Sequence, residues 1–193
     1  MKPFAILLLL FGWNIGHAQL EHDLRNRLGA ASEDTVKANL LIKLALQIST
    51  TNTDSALSCI DASLALSQKL NYPFGLMKGN IEKGILEERE NKTKARDYFM
   101  AALPFAQQLR LPQYEGAILN YAGNTSYMMG EYINAEDYYS KALVIARTNH
   151  DFEQAVKSFT NLGMTYTKLT DYSRAFEMLT LSNHLADSHP AAR

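Results

Sequence analysis

The sequence predicts an all-α protein, an α-solenoid of about four antiparallel helical hairpins. The first observation is a repeat in which three alanines, spaced by forty residues, each precede a large side chain by four residues and a small one by seven. These positions are Ala95, Phe99 and Ala102; Ala135, Tyr139 and Ala142; and Ala175, Leu179 and Ser182. Recurring small and large residues indicate stacked copies of one unit, because stacking gives equivalent residues equivalent contacts.

The second observation is that each copy contains two helical patterns separated by a turn. In the third copy, small and apolar residues recur at three- and four-residue steps, stop at Gly130-Glu131-Tyr132, and then resume. The first helix of that copy carries Leu119, Ala122, Ser126 and Met129 on one face. The third observation is the absence of strand signals, since no alternating β-branched runs or hairpin dipeptides occur.

The repeats are predicted at about residues 34–72, 73–111, 112–150 and 151–188, inside a repeat domain at 34–193. The first copy is degenerate, and its positions Ala56, Ile60 and Ser63 match the helix B positions of the second copy at a spacing of 39. Pro73 and Pro112 follow two predicted helix ends, as expected for residues that cannot extend a helix.

A glycine in the first helix of a repeat lies opposite the alanine of the second. Gly123 and Gly163 stand twelve residues before their alanines, whereas Gly84 stands eleven before Ala95. Such small residues let two helices approach closely, and the large side chain fills the groove between them. In the second repeat, either the first helix is rotated or its turn is one residue shorter; the sequence leaves both open.

Residues 1–18 are predicted to be a signal peptide, followed by an N-terminal lead-in at 19–33. Lys2 precedes an apolar run of ten residues, and Gly16 and Ala18 place small residues before a cut at Gln19. The alternative is a buried N-terminal helix, but the leucine run lacks a polar face. We therefore expect an exported chain, periplasmic or extracellular, with Cys59 as its single cysteine and no internal disulfide.

Composition and motifs favour a protein that is not an enzyme. The formal net charge of -1 argues against a nucleic-acid surface, and no later apolar stretch is long enough for membrane insertion of the mature chain. No histidine pair has metal-binding spacing, and no nucleophile elbow or phosphate-binding loop occurs. We expect no catalytic residues, no metal and no cofactor.

The repeat residues resemble the tetratricopeptide repeat family. Gly123, Gly130-Glu131-Tyr132, Ala135, Tyr139 and Ala142 fit that family's pattern, and the resemblance covers about residues 34–187. It implies a right-handed superhelix; HEAT-like helix pairs are the alternative. The arrangement, with Asp34-Thr35 at its opening, also resembles the exported N-terminal repeat region of bacterial sensor histidine kinases and regulators.

In that family the concave face binds the partner, through positions three before, one after and four after the glycine. In a forty-residue register the resemblance therefore implies partner-binding residues Asn80, Glu87, Asn120, Asn124, Tyr127, Thr160, Met164 and Thr167. Amide and hydroxyl side chains can hydrogen-bond an extended peptide backbone. The alternative is an ordinary solvated helix face.

The last helix carries Met178, Leu181 and Leu185 on one stripe, and Leu185 matches positions in earlier repeats expected to pack on the next helix. An exposed apolar stripe marks an interface or a missing neighbour. The chain is therefore expected either to be truncated or to self-associate end to end through this helix.

The function predicted is a non-catalytic, exported helical-repeat scaffold that binds a protein or peptide partner in its concave face. The alternative is a sensory segment of a longer envelope signal-transduction protein, truncated or standing alone.

Overall fold

The computed structural model describes residues 19–189, and its regular structure there is helical, with no strand among these residues. The predicted all-α fold of helical hairpins is confirmed. The predicted signal peptide at 1–18 lies outside the described residues. The helices are α1 (residues 19–30), α2 (Thr35–Ile48), α3 (Thr53–Lys69), α4 (Pro73–Glu87), α5 (Lys92–Gln108), α6 (Pro112–Met128), α7 (Tyr132–Thr148), α8 (Phe152–Lys168) and α9 (Tyr172–Ser188).

The described residues divide into two compact units, with the boundary between Glu82 and Lys83. In the first unit α2 packs against α3, and the buried Ser63 hydroxyl donates a 2.8 Å hydrogen bond to the Ala38 carbonyl. The lead-in predicted before the repeats contains α1, whose Leu24 is buried. In the second unit each helix from α5 to α9 packs against the next one along the chain.

Close approach of the paired helices depends on glycine, as the small and large positions predicted. A Cβ atom on Gly123 would lie 2.5 Å from Cε1 of Tyr139, a distance at which a side chain must move. A Cβ atom on Gly84 would lie 2.5 Å from Cε1 of Phe99, and a Cβ atom on Gly163 would lie 2.6 Å from Cγ of Leu179. The large side chain therefore occupies the space that a methyl group on the glycine would need.

The register of the second repeat is settled by the start of its first helix. Gly84 lies eleven residues after Pro73, as Gly123 does after Pro112 and Gly163 after Phe152. The first helix of the second repeat is therefore not rotated. The missing residue lies after the glycine, where the interval to the first residue of the next helix is eight rather than nine.

Five of the seven turns that connect α2 to α9 each place one residue in the left-handed region. Asn71, Arg110 and His150 have φ values of 49°, 54° and 55° in the links between repeats, and Gly130 and Thr170 have 78° and 60° inside repeats. After Thr170 the Asp171 amide donates to the Tyr166 carbonyl at 2.9 Å, which satisfies a terminal carbonyl of α8. A left-handed residue thus closes the helix end and fixes the direction of the next helix.

Replacing Thr170 with glycine is expected to stabilise the protein by about 1 kcal/mol. Threonine is β-branched and its left-handed conformation is strained, whereas glycine adopts it readily, as Gly130 does one repeat earlier. Urea unfolding of both proteins would measure the change. Thr167→Gly, inside α8, is the matched control and should destabilise by about 1 kcal/mol. A loss of stability in Thr170→Gly would contradict the strain argument.

Candidate functional site

A groove of about 430 Å³ opens between α6 and α8, within the second unit. We call it the α6–α8 groove. It is lined by Ala117, Asn120, Tyr121, Asn124, Gln154, Val156, Lys157, Thr160 and Asn161. Its walls carry three asparagines, a glutamine and a threonine beside one lysine, so neutral hydrogen-bonding groups dominate its chemistry.

Asn120 holds the two walls of the groove together. Its Nδ2 donates to Gln154 Oε1 and to Ser158 Oγ, each at 3.1 Å, and its side chain is buried with 7% of its surface exposed. Ser158 Oγ also lies 3.3 Å from Asn120 Oδ1. Because its amide is engaged inside the protein, Asn120 positions α8 against α6 and offers a partner little surface.

Asn124 is fixed from two sides at its carbonyl oxygen. Oδ1 accepts a 2.7 Å hydrogen bond from the Tyr139 hydroxyl and a 3.3 Å bond from Asn161 Nδ2. Burial raises the pKa of the Tyr139 phenol, so it remains protonated and able to donate. Both asparagines are half-buried, and their orientations are set by these bonds.

The remaining polar atoms of this pair point to one kind of ligand. Within residues 19–189, neither Asn124 Nδ2 nor Asn161 Oδ1 has a hydrogen-bond partner in the protein. One is an amide donor on α6 and the other an amide acceptor on α8. The groove therefore presents a free donor and a free acceptor on neighbouring side chains, the complement of the N–H and C=O of one residue in an extended chain.

The charge in the groove is small. Lys157 Nζ lies 2.6 Å from Glu153 Oε1, one turn earlier on α8, and both side chains are more than half exposed. The hydrogen bond from Lys157 holds the pKa of the Glu153 carboxyl below its usual range. An exposed pair of this kind contributes about 0–1 kcal/mol to stability, and its lysine stays within reach of a ligand.

Three of the residues implied by the resemblance line the α6–α8 groove, namely Asn120, Asn124 and Thr160. The Thr160 hydroxyl bonds the Val156 carbonyl at 3.0 Å and lies 2.8 Å from Ser182 Oγ. Asn161 was not predicted, because it lies two positions before Gly163, outside the three positions that the family pattern supplies. The feature of the sequence that could have indicated Asn161 is its place directly after Thr160, a predicted site residue.

The second-repeat residues Asn80 and Glu87 follow the forty-residue spacing rather than the position of Gly84, and their role in partner binding stays a prediction. With Gly84 as the reference, the equivalent positions are Ile81 and Glu88, each one residue later. Asn80 donates from Nδ2 to the Leu76 carbonyl on its own helix at 2.8 Å. Glu88, in the second unit, accepts a 3.0 Å hydrogen bond from the Thr125 hydroxyl.

Tyr127, Met164 and Thr167 do not line the α6–α8 groove. The Tyr127 ring packs edge-on against Tyr132, with ring centroids 5.4 Å apart. Thr167 donates to the Gly163 carbonyl at 2.9 Å, and Met164 is exposed. Their roles in partner binding stay predictions.

The three residues of the apolar stripe predicted on α9 lie in different surroundings. Met178 packs against the cluster formed by Ala135, Tyr139, Leu162, Tyr166 and Ala175, while Leu181 is exposed. Leu185 lines a cavity against α8. Ile145, in the matching position of α7, lies near Gly116 of its own repeat and lines a small cavity together with Gln154 of α8. Self-association through α9 stays a prediction.

No group of three or more histidine, cysteine, aspartate or glutamate side chains within residues 19–189 could hold a metal ion. Over the same residues, each helix falls short of the length and apolar character that crossing a membrane demands.

No protein-family model matches the chain. Among curated proteins it is 32% identical over 97 residues to response regulator aspartate phosphatase J of Bacillus subtilis (strain 168). That match takes in 50% of this chain and 26% of the relative, so the chain spans about a quarter of the relative's length.

Several solved structures share the fold. The chain resembles BtubC from P. vanneervenii with a TM-score of 0.83 and 18% identity, over 95% of this chain and 78% of that one. It resembles a signal transduction ATPase with a tetratricopeptide repeat sensor from Pyrococcus horikoshii with a TM-score of 0.78 and 22% identity, over 84% of this chain and 26% of that one. A Rap protein complexed with competence and sporulation factor matches with a TM-score of 0.74 and 20% identity, over 93% of this chain and 52% of that one. The chain therefore has the tetratricopeptide repeat fold.

Proposed function

We propose that this chain is a non-catalytic scaffold that binds an extended peptide segment of a partner in the α6–α8 groove. The observation that carries the proposal is the pair formed by Asn124 Nδ2 and Asn161 Oδ1, which have no partner among the described residues. A residue in an extended chain directs its amide and carbonyl to the same side, where such a pair can bond both.

The groove is also prepared for binding. Tyr139 and Asn161 hold the carbonyl of Asn124, and Asn120 holds the two helices at their spacing. A site that is ordered before the ligand arrives loses less conformational entropy on binding. Tyr121 and Val156 add apolar surface for ligand side chains beside the polar groups.

The comparisons support the same proposal at the level of the fold. The Rap protein of similar fold is bound to competence and sporulation factor in its crystal structure. The curated relative is a response regulator aspartate phosphatase, but the shared segment is about a quarter of that protein. We therefore carry over a binding role and no phosphatase activity.

Binding to an array of immobilised random peptides, followed by fluorescence anisotropy of the best ligand, tests the proposal. Changing Asn124 and Asn161 together to alanine should weaken binding about tenfold to a hundredfold, since two hydrogen bonds are lost. Asn183→Ala, on the exposed surface of α9, is the matched control and should leave affinity unchanged.

A peptide series with single N-methyl groups gives the sharper test. Methylation at one backbone position should weaken binding about tenfold, and more than methylation at any other position, because it removes the N–H that donates to Asn161 Oδ1. Equal binding by the double variant, or by every methylated peptide, would remove the α6–α8 groove from the proposal.

We further propose that the chain is exported, on the pattern of residues 1–18 alone. Expression of the whole chain followed by cell fractionation and N-terminal sequencing tests this. A mature chain that begins at Gln19 in the periplasm or the medium is expected. An uncleaved chain retained in the cytoplasm would overturn the proposal.

A second candidate is a sensory segment of a longer signalling protein. It is favoured by the signal transduction ATPase of similar fold, in which the tetratricopeptide repeats form a sensor. An immunoblot of the source cells, with antibody against the repeats, would reveal the size of the natural protein and separate the two candidates.

A further inference from the structure

A second cavity, of about 350 Å³, lies where α7, α8 and α9 meet. We call it the terminal cavity. It is lined by Ala146, Arg147, His150, Phe152, Ala155, Phe159, Leu181, His184 and Leu185. All of these belong to the second unit, and none lines the α6–α8 groove.

The terminal cavity combines apolar walls with basic side chains. Six of its nine lining residues are alanine, leucine or phenylalanine, and the other three are Arg147, His150 and His184. No lining residue carries a carboxylate. Phe152 and Leu181 leave 37% and 42% of their surface exposed, so apolar area in the cavity wall faces water. This volume lies at the lower end of the range for small-molecule sites.

Arg147 stands without an ionic partner among the described residues. Two other arginines of this unit are paired, Arg96 with Glu131 and Arg174 with both Asp171 and Glu136, whereas Arg89 and Arg110, like Arg147, form no ion pair within residues 19–189. Arg147 is exposed in the last turn of α7 and makes no comparable contact with a carboxylate within residues 19–189. Its guanidinium therefore remains available to an anion from outside.

The composition of the cavity is not imposed by the repeat. One repeat earlier, Glu115 stands in the place of Ala155, Lys141 in the place of Leu181, and Gln107 in the place of Arg147. Glu115 and Lys141 would place charges in the cavity wall, and Gln107 would leave the position of Arg147 without a charge. Arg110 stands in the place of His150, so the earlier repeat also has a cation nearby, and the last repeat differs by its apolar residues at 155 and 181 and by Arg147 itself.

We propose that the terminal cavity binds a small amphipathic carboxylate. Its hydrocarbon part lies against Phe152 and Leu181, whose apolar surface is exposed, and beside the buried Phe159. Its carboxylate pairs with the Arg147 guanidinium, which can bond both oxygens at once, and the two histidines provide further donors. The proposal is independent of peptide binding in the α6–α8 groove.

Isothermal titration with octanoate tests the proposal on the purified whole chain. We expect saturable binding at one site, weakened at least tenfold in Arg147→Gln, which installs the residue found one repeat earlier. Lys168→Gln removes an exposed cation that does not line the cavity and should leave binding unchanged. Octanamide, with the same hydrocarbon part and no charge, should bind at least tenfold more weakly than octanoate.

Ala155→Glu provides a second variant, since a carboxylate in the cavity wall should repel octanoate. Circular dichroism establishes that this variant is folded before it is titrated. Absence of saturable octanoate binding to the unaltered chain would overturn the proposal. Undiminished affinity in Arg147→Gln, or equal affinity for octanamide, would also overturn it.

Discussion

Changing Tyr139 to alanine is expected to destabilise the second unit by about 3–5 kcal/mol. Its side chain is 2% exposed and packs in one cluster with Leu162 and Tyr166, so its removal leaves a cavity at the centre of two hairpins. The hydroxyl also supports Asn124 in the α6–α8 groove. Urea unfolding followed by circular dichroism would measure the loss.

Tyr139→Phe separates packing from hydrogen bonding at the same position. This variant keeps the ring above Gly123 and removes only the hydroxyl, so a loss of about 1 kcal/mol is expected. If Tyr139→Phe proved as damaging as Tyr139→Ala, the hydrogen bond rather than the packed ring would be the main contribution of this residue.

Two glycines of α6 are expected to respond to alanine in opposite directions. At Gly123 the added methyl would lie 2.5 Å from Cε1 of Tyr139, and overpacking of this kind costs about 1–3 kcal/mol. At Gly116 the nearest atoms are 3.9 Å and 4.0 Å away, so the methyl fits. Alanine then gains about 1 kcal/mol of helix propensity, and the two variants should differ by about 2–4 kcal/mol.

A double-mutant cycle identifies the cause of the loss at Gly123. In a background of Tyr139→Ala the clash is absent, so Gly123→Ala should no longer destabilise the protein. Thermal and urea unfolding of the four proteins measure the coupling. Additive effects would show that the ring of Tyr139 does not limit the residue at position 123.

Much of this fold could be predicted from the sequence because its close contacts recur. Gly123 and Tyr139 are separated by the same number of residues as Gly163 and Leu179. A contact inferred in one repeat was therefore also expected at the equivalent positions of the other. The second repeat could not be placed in the same way. A rotated helix and a shortened turn displace Gly84 equally along the sequence, and only the start of α4 at Pro73 separates them.

The α6–α8 groove was harder to predict from the sequence. Position in a repeat indicates that a side chain lies near a face, but it does not show which partners that side chain bonds. Asn120 and Asn124 are both predicted at this face, yet Asn120 is held by Gln154 and Ser158, while Asn124 keeps a donor exposed. That difference depends on contacts with residues distant in the sequence, 34 and 38 positions away for Asn120 and 15 for the bond between Tyr139 and Asn124.

The double support of the Asn124 carbonyl has a consequence for the direction of a bound chain. Because Tyr139 and Asn161 fix that oxygen, the donor of Asn124 and the acceptor of Asn161 occur in a set order across the groove. A strand entering from the opposite end would meet donor with donor and acceptor with acceptor. Such a groove would distinguish a segment from its reversed sequence through the main chain alone.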